Sequence, residues 1–520
     1  MRKLQLILIS FLLVILSQAK AQHLNILIAE GNGLSEPSIF VNPNNTDEIV
    51  AGAIINKYYY SQDGGFSWNS GSLTSPYGVW GDPCLIVDSN SDYYYFHLSN
   101  PTNGSWIDRI VCQKSVDGGS SWNTGTYMGL NGTKAQDKQW AIVDYTNNNI
   151  YVSWTQFDQY GSSSPSHFSN IHFSKTLDGG ETWSEAIQIN EISGDCVDEG
   201  NTVEGAVPAV GLNGEIFVSW AGPEGLVFDK SLDQGESWLD EDIFVSDIPG
   251  PGWAYEIPGI SRCNGLPITC CNLAEGPYQG EIYINWSDQR NGSDDTDIWF
   301  IKSSDGGETW DERKRVNDDA PGKQQFFTWM TVDQITGYIW FVFYDRRNYE
   351  DNNTDVYMAV STDGGESFYN FQVSETPFLP YSSTFFGDYT NISAHDNVVR
   401  PIWTRLEGSS PKIMTALVNE SIIGEEELEA LPFSLQQNSP NPFDETTFIS
   451  FKLQKKQKVS LIVYDIFSRP VAVMIQNKEL NMGKHTYHLS SSDYHLSNGV
   501  YYFSLIAGDY QIQKKMLLVK

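Results

Sequence analysis

The stretch YSQDGGFSW, from Tyr60 to Trp68, decides how this chain folds, because it returns. The copies are KSVDGGSSW (114–122), KTLDGGETW (175–183), KSLDQGESW (230–238), KSSDGGETW (302–310) and VSTDGGESF (360–368). Their aspartates, Asp63, Asp117, Asp178, Asp233, Asp305 and Asp363, stand 54 to 72 residues apart, longer than most solenoid repeats and near the length of a propeller blade. Each copy follows an alternating run such as DIWFIKSS, so the paired glycines mark a hairpin turn, where positive φ costs glycine nothing. The Asp side chain can accept from amides of its own turn. The Trp returns on the next strand, where it would cover the apolar face of its own hairpin. The phrase lacks the alternating Asp/Asn run and closing Glu of an EF-hand loop, so it reads as a structural turn.

A second landmark precedes each turn: EPSIFVN (from Glu36), DPCLIVD (Asp82), KQWAIVD (Lys138), VPAVGLN (Val207), LPITCCN (Leu266), FTWMTVD (Phe327) and DYTNISA (Asp388). Aligned on their last residues, they give seven units. Each landmark is followed by a second strand such as GEIFVSW or GYIWFVFYD, then a third, then the turn into a fourth. Four antiparallel strands per unit is a propeller blade. The last unit has only three strands. LNILIAE (Leu24–Glu30), left over near the start, would supply the fourth and remove the open edge. Seven blades are expected; six is the alternative if one unit is an insertion.

The ends of the chain differ from this ring. Arg2 and Lys3 lead an apolar run from Leu4 to Leu16, and Ala19-Lys20-Ala21 offers a small-x-small cleavage site, so 1–21 reads as a secretory signal too short to span a membrane. The formal net charge is -33, which argues against a nucleic-acid partner. From Phe433 onward there are 10 basic and 6 acidic side chains, so the excess of acid belongs to the rest and a boundary falls near there. NESIIGEEELEALP, just before, reads as an acidic linker over 420–433. The six cysteines lack zinc-site spacing, and HExxH, GxSxG and phosphate-cradling glycine loops are missing. Cys84 and Cys112 fall two strands apart in one blade, beyond disulfide reach, whereas Cys196 and Cys263 precede neighbouring blades and form the candidate pair.

Two resemblances follow. Residues 22–419 resemble the Asp-box (BNR-repeat) sialidase-like propeller superfamily, whose box S-x-D-x-G-x-x-W is close to all six phrases. The box implies the fold and not an activity. Residues 434–520, with PNPF (440–443), SLIVYDIFSRPV (460–471), LSNGVYYF (496–503) and the terminal KKMLLVK, resemble the type A sorting domain of the type IX secretion system. Read from its residues, the segment is a small antiparallel sandwich. The resemblance implies Sec export, recognition by the type IX machinery and delivery to, or release from, the outer surface.

In the sialidase-like family the site lies at the face where first strands start and second strands end. That face should carry Glu36, Asp82, Asp137, Lys138, Asp388 and Tyr389. The second-strand ends WTQFD, WSDQR, FYDRR and WTR would add Asp158, Asp288, Arg290, Asp345, Arg346, Arg347 and Arg405. Trp80, Trp140, Trp329, Phe386 and Tyr389 are candidates to stack on sugar rings, with core packing as the alternative. A sialidase needs three arginines around its substrate carboxylate. The family's first arginine stands in an opening R-I-P-like motif, where this chain reads SEPSIF, so the triad does not transfer. Glu36, Asp82 and Asp388 converge from neighbouring blades, which leaves three outcomes: raised pKa values, pairing with Lys138 or Arg405, or a bound cation, for which carboxylate oxygens suit calcium. Two functional classes stay open: a secreted glycan-active hydrolase or lyase, and a non-catalytic propeller that binds glycan or protein.

Overall fold

The computed structural model describes residues 23–419, except 251, and most of 433–519. The signal peptide expected over 1–21, and all but the last residue of the linker expected over 420–433, lie outside the described residues. Two compact units divide between Val418 and Asn419, and each is described by itself. Among the described residues every regular element is a strand, and no helix is long and apolar enough to cross a membrane.

The first unit consists of seven four-stranded antiparallel sheets in chain order. The opening sheet is Ser38–Val41, Ile49–Ala53, Lys57–Ser61 and Asn69–Ser72. The last takes Asn391–His395, Val398–Glu407 and Ser410–Asn419 from the end of the unit, and Leu24–Glu30 from its beginning. Leu24 pairs with Leu417 and Glu30 with Lys412, so the N-terminal strand closes the ring as its pattern suggested. Each first strand packs against the first strands on either side, with Ser38–Val41 meeting Asn391–His395. This ring of sheets is a β-propeller. Trp154, Trp220 and Trp286, on second strands, are fully buried.

All six Asp turns have the same wiring. In the first, the Gly65 N–H donates to Ser61 Oγ (2.9 Å), Ser61 Oγ donates to Asp63 Oδ1 (2.8 Å), and Ser67 donates through its N–H (2.9 Å) and its hydroxyl (2.6 Å) to the same carboxylate. The Trp does more than cover its own hairpin. Trp183 packs edge-on against Phe96, Trp238 against Phe173 and Trp310 against Phe228, each on the preceding sheet. The second glycine of the box lies against the same rings: a Cβ on Gly235 would fall 2.4 Å from Phe173 and one on Gly307 2.3 Å from Phe228. Lys175 and Lys230 add ion pairs to Glu236 and Glu308 of the following turn. The repeated phrase is therefore a joint between blades as well as a turn.

First strands of all seven sheets line a largely apolar channel of about 380 Å³. At its strand-start end Trp140 packs against Trp329 at a tilt of 55° (4.4 Å between centroids) and meets Tyr389 edge-on (5.0 Å). All six cysteines are free. The expected Cys196–Cys263 bridge is not formed, because Cys196 is held opposite Ser162 and Cys263 opposite Tyr255 in a separate hairpin. Cys84 and Cys112 flank Phe96 on either side, two strand spacings apart, as their positions required.

The second unit is a sandwich of a three-stranded sheet, Phe433–Leu435, Thr446–Leu453 and Gly483–Ser490, and a four-stranded one, Pro470–Leu480, Gln457–Tyr464, Gly499–Ala507 and Tyr510–Leu518. Its core includes Ile449, Phe451, Leu461, Val463, Phe503 and Leu505.

Candidate functional site at the strand-start mouth

The mouth is built by a backbone irregularity repeated around the ring. Register breaks between Asp137 and Trp140, between Glu204 and Val207, and between Phe326 and Trp329. In each break the second residue takes positive φ: Lys138 at 50°, Gly205 at 82° and Phe327 at 51°. Glu36 and Asp82 stand just before their strands at 52° each. Positive φ in a non-glycine residue costs roughly 1–3 kcal/mol and collects at functional sites, and bulges re-aim side chains there. Four such residues line one mouth, three of them charged.

What they aim is a buried ionic cluster. Lys138 Nζ stands 2.7 Å from Asp388 and 3.1 Å from Asp82. Arg262, which caps the cluster from the hairpin Ala254–Tyr255 and Cys263–Asn264, donates to Asp388 through Nε (2.7 Å) and Nη2, and reaches Asp198 at 3.5 Å. Asp137 Oδ1 accepts from the Lys138 N–H at 2.8 Å. Glu204 is 1% exposed, and neither carboxyl oxygen has a hydrogen-bond partner among the described residues. Glu36 Oε1 and the Tyr389 hydroxyl are likewise buried and unpartnered.

These surroundings drive the acids apart. Burial, seconded by Asp198 and Asp137, pushes Glu204 well above the usual carboxylate range. Burial, then Asp82, does the same to Glu36. Burial pushes Asp137 up to about 7, against the pull of Lys138. Asp388 goes the other way: Lys138 and Arg262 override its burial and hold it ionised. Asp388 and Asp82 in turn keep Lys138 charged in spite of its burial. The mouth thus sets carboxyls that burial drives toward the protonated form beside a carboxylate that its cations drive toward the ionised form, the pairing that acid–base chemistry uses.

Of the expected site residues, Glu36, Asp82, Asp137, Lys138, Asp388 and Tyr389 come together. The second-strand arginines instead form local pairs: Arg290 with Asp288, and Arg347 with Asp345 and Asp318. Arg346 is buried against Gln324 and Thr354. Arg405 donates to the Thr376 and Pro377 carbonyls and does not neutralise the cluster. Asp158 pairs with Lys134. Of the two expected cations Lys138 alone pairs the carboxylates, with its ammonium within 3.1 Å of both Asp82 and Asp388, so pairing, one of the three outcomes, is present. No group of three or more His, Cys, Asp or Glu among the described residues is arranged to hold a metal. Trp140, Trp329, Phe386 and Tyr389 are packing residues, at most 9% exposed, whereas Trp80 is 39% exposed. Sequence reading missed Glu204, Asp198, Arg262 and the exposed Trp106.

Comparison with known proteins bears on each unit. Residues 439–520 match the secretion system C-terminal sorting domain. No curated protein sequence matches the chain. Among solved structures, a protein of unknown function from Dyadobacter fermentans aligns over 77% of this chain and 98% of its own at 12% identity, TM-score 0.43. An ulvan lyase bound to -[GlcA(1-4)Rha3S]- covers 76% of this chain and 95% of its own at 15% identity, TM-score 0.46. The NanB sialidase of Streptococcus pneumoniae covers 71% and 83% at 8% identity, TM-score 0.43. The propeller itself is read from the order and closure of its sheets. The chain is a β-propeller joined to a type IX C-terminal sorting domain, which marks it for secretion to the outer cell surface.

Proposed function

We propose that the propeller acts on extracellular glycans at the strand-start mouth, with Glu204 as proton donor. The observation that carries this reading is the Glu204 carboxyl, 1% exposed, with both oxygens unpartnered, beside a carboxylate held ionised by two cations. In glycoside hydrolysis a neutral carboxyl gives its proton to the leaving oxygen as the C–O bond breaks, while an ionised carboxylate takes a proton from the water that bonds to the anomeric carbon, or bonds to that carbon itself until water replaces it. Glu204 has the first character and Asp388 the second. The same neutral acid serves a lyase, which protonates the same leaving oxygen. A true exo-sialidase is disfavoured: the mouth holds one guanidinium, already engaged by Asp388 and Asp198, where a carboxylate clamp needs free N–H donors.

One observation favours a second reading, a propeller that binds glycan without cleaving it. The pocket beneath Arg262, lined by Lys138, Asp198, Glu204 and Trp253, has only about 60 Å³, room for about two waters and too little for a sugar ring. Under the catalytic reading Arg262, whose side chain is 47% exposed, exchanges its ion pairs for solvent as the sugar enters, and Lys138, 2.7 Å from Asp388, keeps that carboxylate charged. A screen of the full-length protein against polysaccharides, with product analysis and parallel binding arrays, separates the two. Cleavage lost in Glu204→Gln with binding retained supports the enzyme. Binding without cleavage supports the second reading, and neither binding nor cleavage removes both.

A further inference from the structure

We infer that the mouth selects glycans that carry no carboxylate or sulfate. This rests on the glycan reading above in its hydrolase form, because elimination by a lyase needs a uronate carboxyl, and adds the class of ligand. The two cations of the cluster, Lys138 and Arg262, are already paired with three carboxylates, Asp82, Asp198 and Asp388, and the other carboxyls there, Glu36, Asp137 and Glu204, bring no positive charge. An anionic sugar would enter without a free donor of positive charge, on a chain whose formal net charge is already -33. Ionised carboxylates are acceptors only, and the donors that suit them are hydroxyls. A sugar without acidic groups brings many hydroxyl donors and no like charge.

The rim supplies the apolar half of such a site. Trp80 and Trp106 are each 39% exposed and stand edge to face, with centroids 6.2 Å apart. Trp106 meets Tyr160 at 5.3 Å, and the Tyr160 hydroxyl donates to Asp198 at 2.6 Å, so the indoles lead directly to the charged cluster. Phe385, 41% exposed, lies under the Arg262 guanidinium at 5.3 Å. The backbone amide of Trp80 is tied to the Leu98 carbonyl at 2.9 Å, and Gly81, with φ of 112°, precedes Asp82. Large aromatic faces held exposed beside buried polar groups are the ordinary make-up of a ligand site, and indoles offer a rigid apolar face with a polar edge.

The test is a glycan array probed with the full-length protein, followed by titration of pairs that share a backbone and differ in acidic groups, such as lactose-based and sialyl-lactose-based chains or galactans and oligogalacturonides. The expected result is binding of the non-anionic member about tenfold or more tighter, with the gap narrowing as salt is raised. Trp80→Ala and Trp106→Ala should each weaken that binding about tenfold with an unchanged melting temperature. Asp198→Asn should narrow the discrimination several-fold by removing one repelling charge. Equal or tighter binding of acidic partners, still dependent on Trp80 and Trp106, overturns this inference and leaves the glycan reading standing. No glycan bound at all overturns both.

Discussion

Replacing Glu204 by Gln makes the buried acid visible in the stability of the ring. Wild-type Glu204 enters the fold as a neutral carboxyl, since burial and the neighbouring Asp198 and Asp137 raise its pKa well above the usual range. In the unfolded chain the same carboxyl loses its proton at about pH 4.3. Between that pH and the folded value the native state binds one proton more than the unfolded state, so wild-type stability falls as pH rises. The slope is about 1.4 kcal/mol per pH unit for as long as the native carboxyl keeps its proton. The amide cannot titrate, so its variant lacks this slope. It brings two N–H donors to an unpartnered place, an offset that is constant with pH. The stability difference, variant minus wild type, should therefore climb by about 1.4 kcal/mol per unit above about pH 5. Urea unfolding of the full chain followed by tryptophan fluorescence reads the propeller alone, because all 16 tryptophans precede Val418. A difference that stays flat from about pH 5 to pH 8 would show that Glu204 is ionised in the native protein and would refute its role as a proton-bearing acid.

Four further outcomes are expected. Lys138→Met should destabilise the propeller by up to about 3 kcal/mol, because it strips partly buried Asp82 of its cation and leaves buried Asp388 with Arg262 alone, and denaturation midpoints check it. Asp178→Ala should cost about 1–2 kcal/mol, by analogy with lost helix caps, and leave any glycan binding per folded molecule intact. Bonds from Thr182 hold Asp178 down at about 2, so its contribution is present above the unfolded pKa and should fade as pH falls from about 4 toward 2. Melting curves with calcium and with chelator should coincide, since the Lys138 ammonium stands in the place of the cation; a rise abolished by Asp388→Asn would restore the metal. Truncation after Leu431 should leave the ring folded and stop surface delivery, scored by fractionation of cells, because the closing strand and core lie before that point and the sorting domain after it.

The parts of this molecule that were legible in sequence are those written locally. Asp63 and its five counterparts each carry their partners within four residues, so the turn is readable one copy at a time. Leu24–Glu30 was readable as a closing strand because the last unit lacked a fourth. The convergence of Glu36, Asp82, Lys138 and Asp388 followed from blade order. Glu204 was hidden by a two-residue misalignment. Aligning VPAVGLN on Asn213 shifts this unit, because in the structure Gly211 is the equivalent of Asp88 and Asp144, each of which opens the turn after its first strand. Gly205 then occupies the place of Lys138, and Glu204 that of Asp137. The signal available was Gly205 itself, the residue best suited to a positive-φ place that four other units fill at a cost with Glu36, Asp82, Lys138 and Phe327. Arg262 had no such signal. It sits in a hairpin inserted between the fourth and fifth sheets, outside the repeat, and only the fold brings it to Asp388. Trp140, Trp329 and Tyr389 pack ring against ring across the channel, tilted or edge-on, which no single strand's pattern reveals.

The proposal that the mouth binds glycan is decided by a crystal structure of the Glu204→Gln protein with the oligosaccharide that binds best on the array. The account predicts a sugar ring against Trp80 and Trp106, Arg262 displaced from above the pocket, and a glycosidic oxygen within hydrogen-bond distance of the substituted side chain. Ligand density on the Asp-turn face, or along the rim with Arg262 unmoved and no oxygen near that side chain, would contradict it.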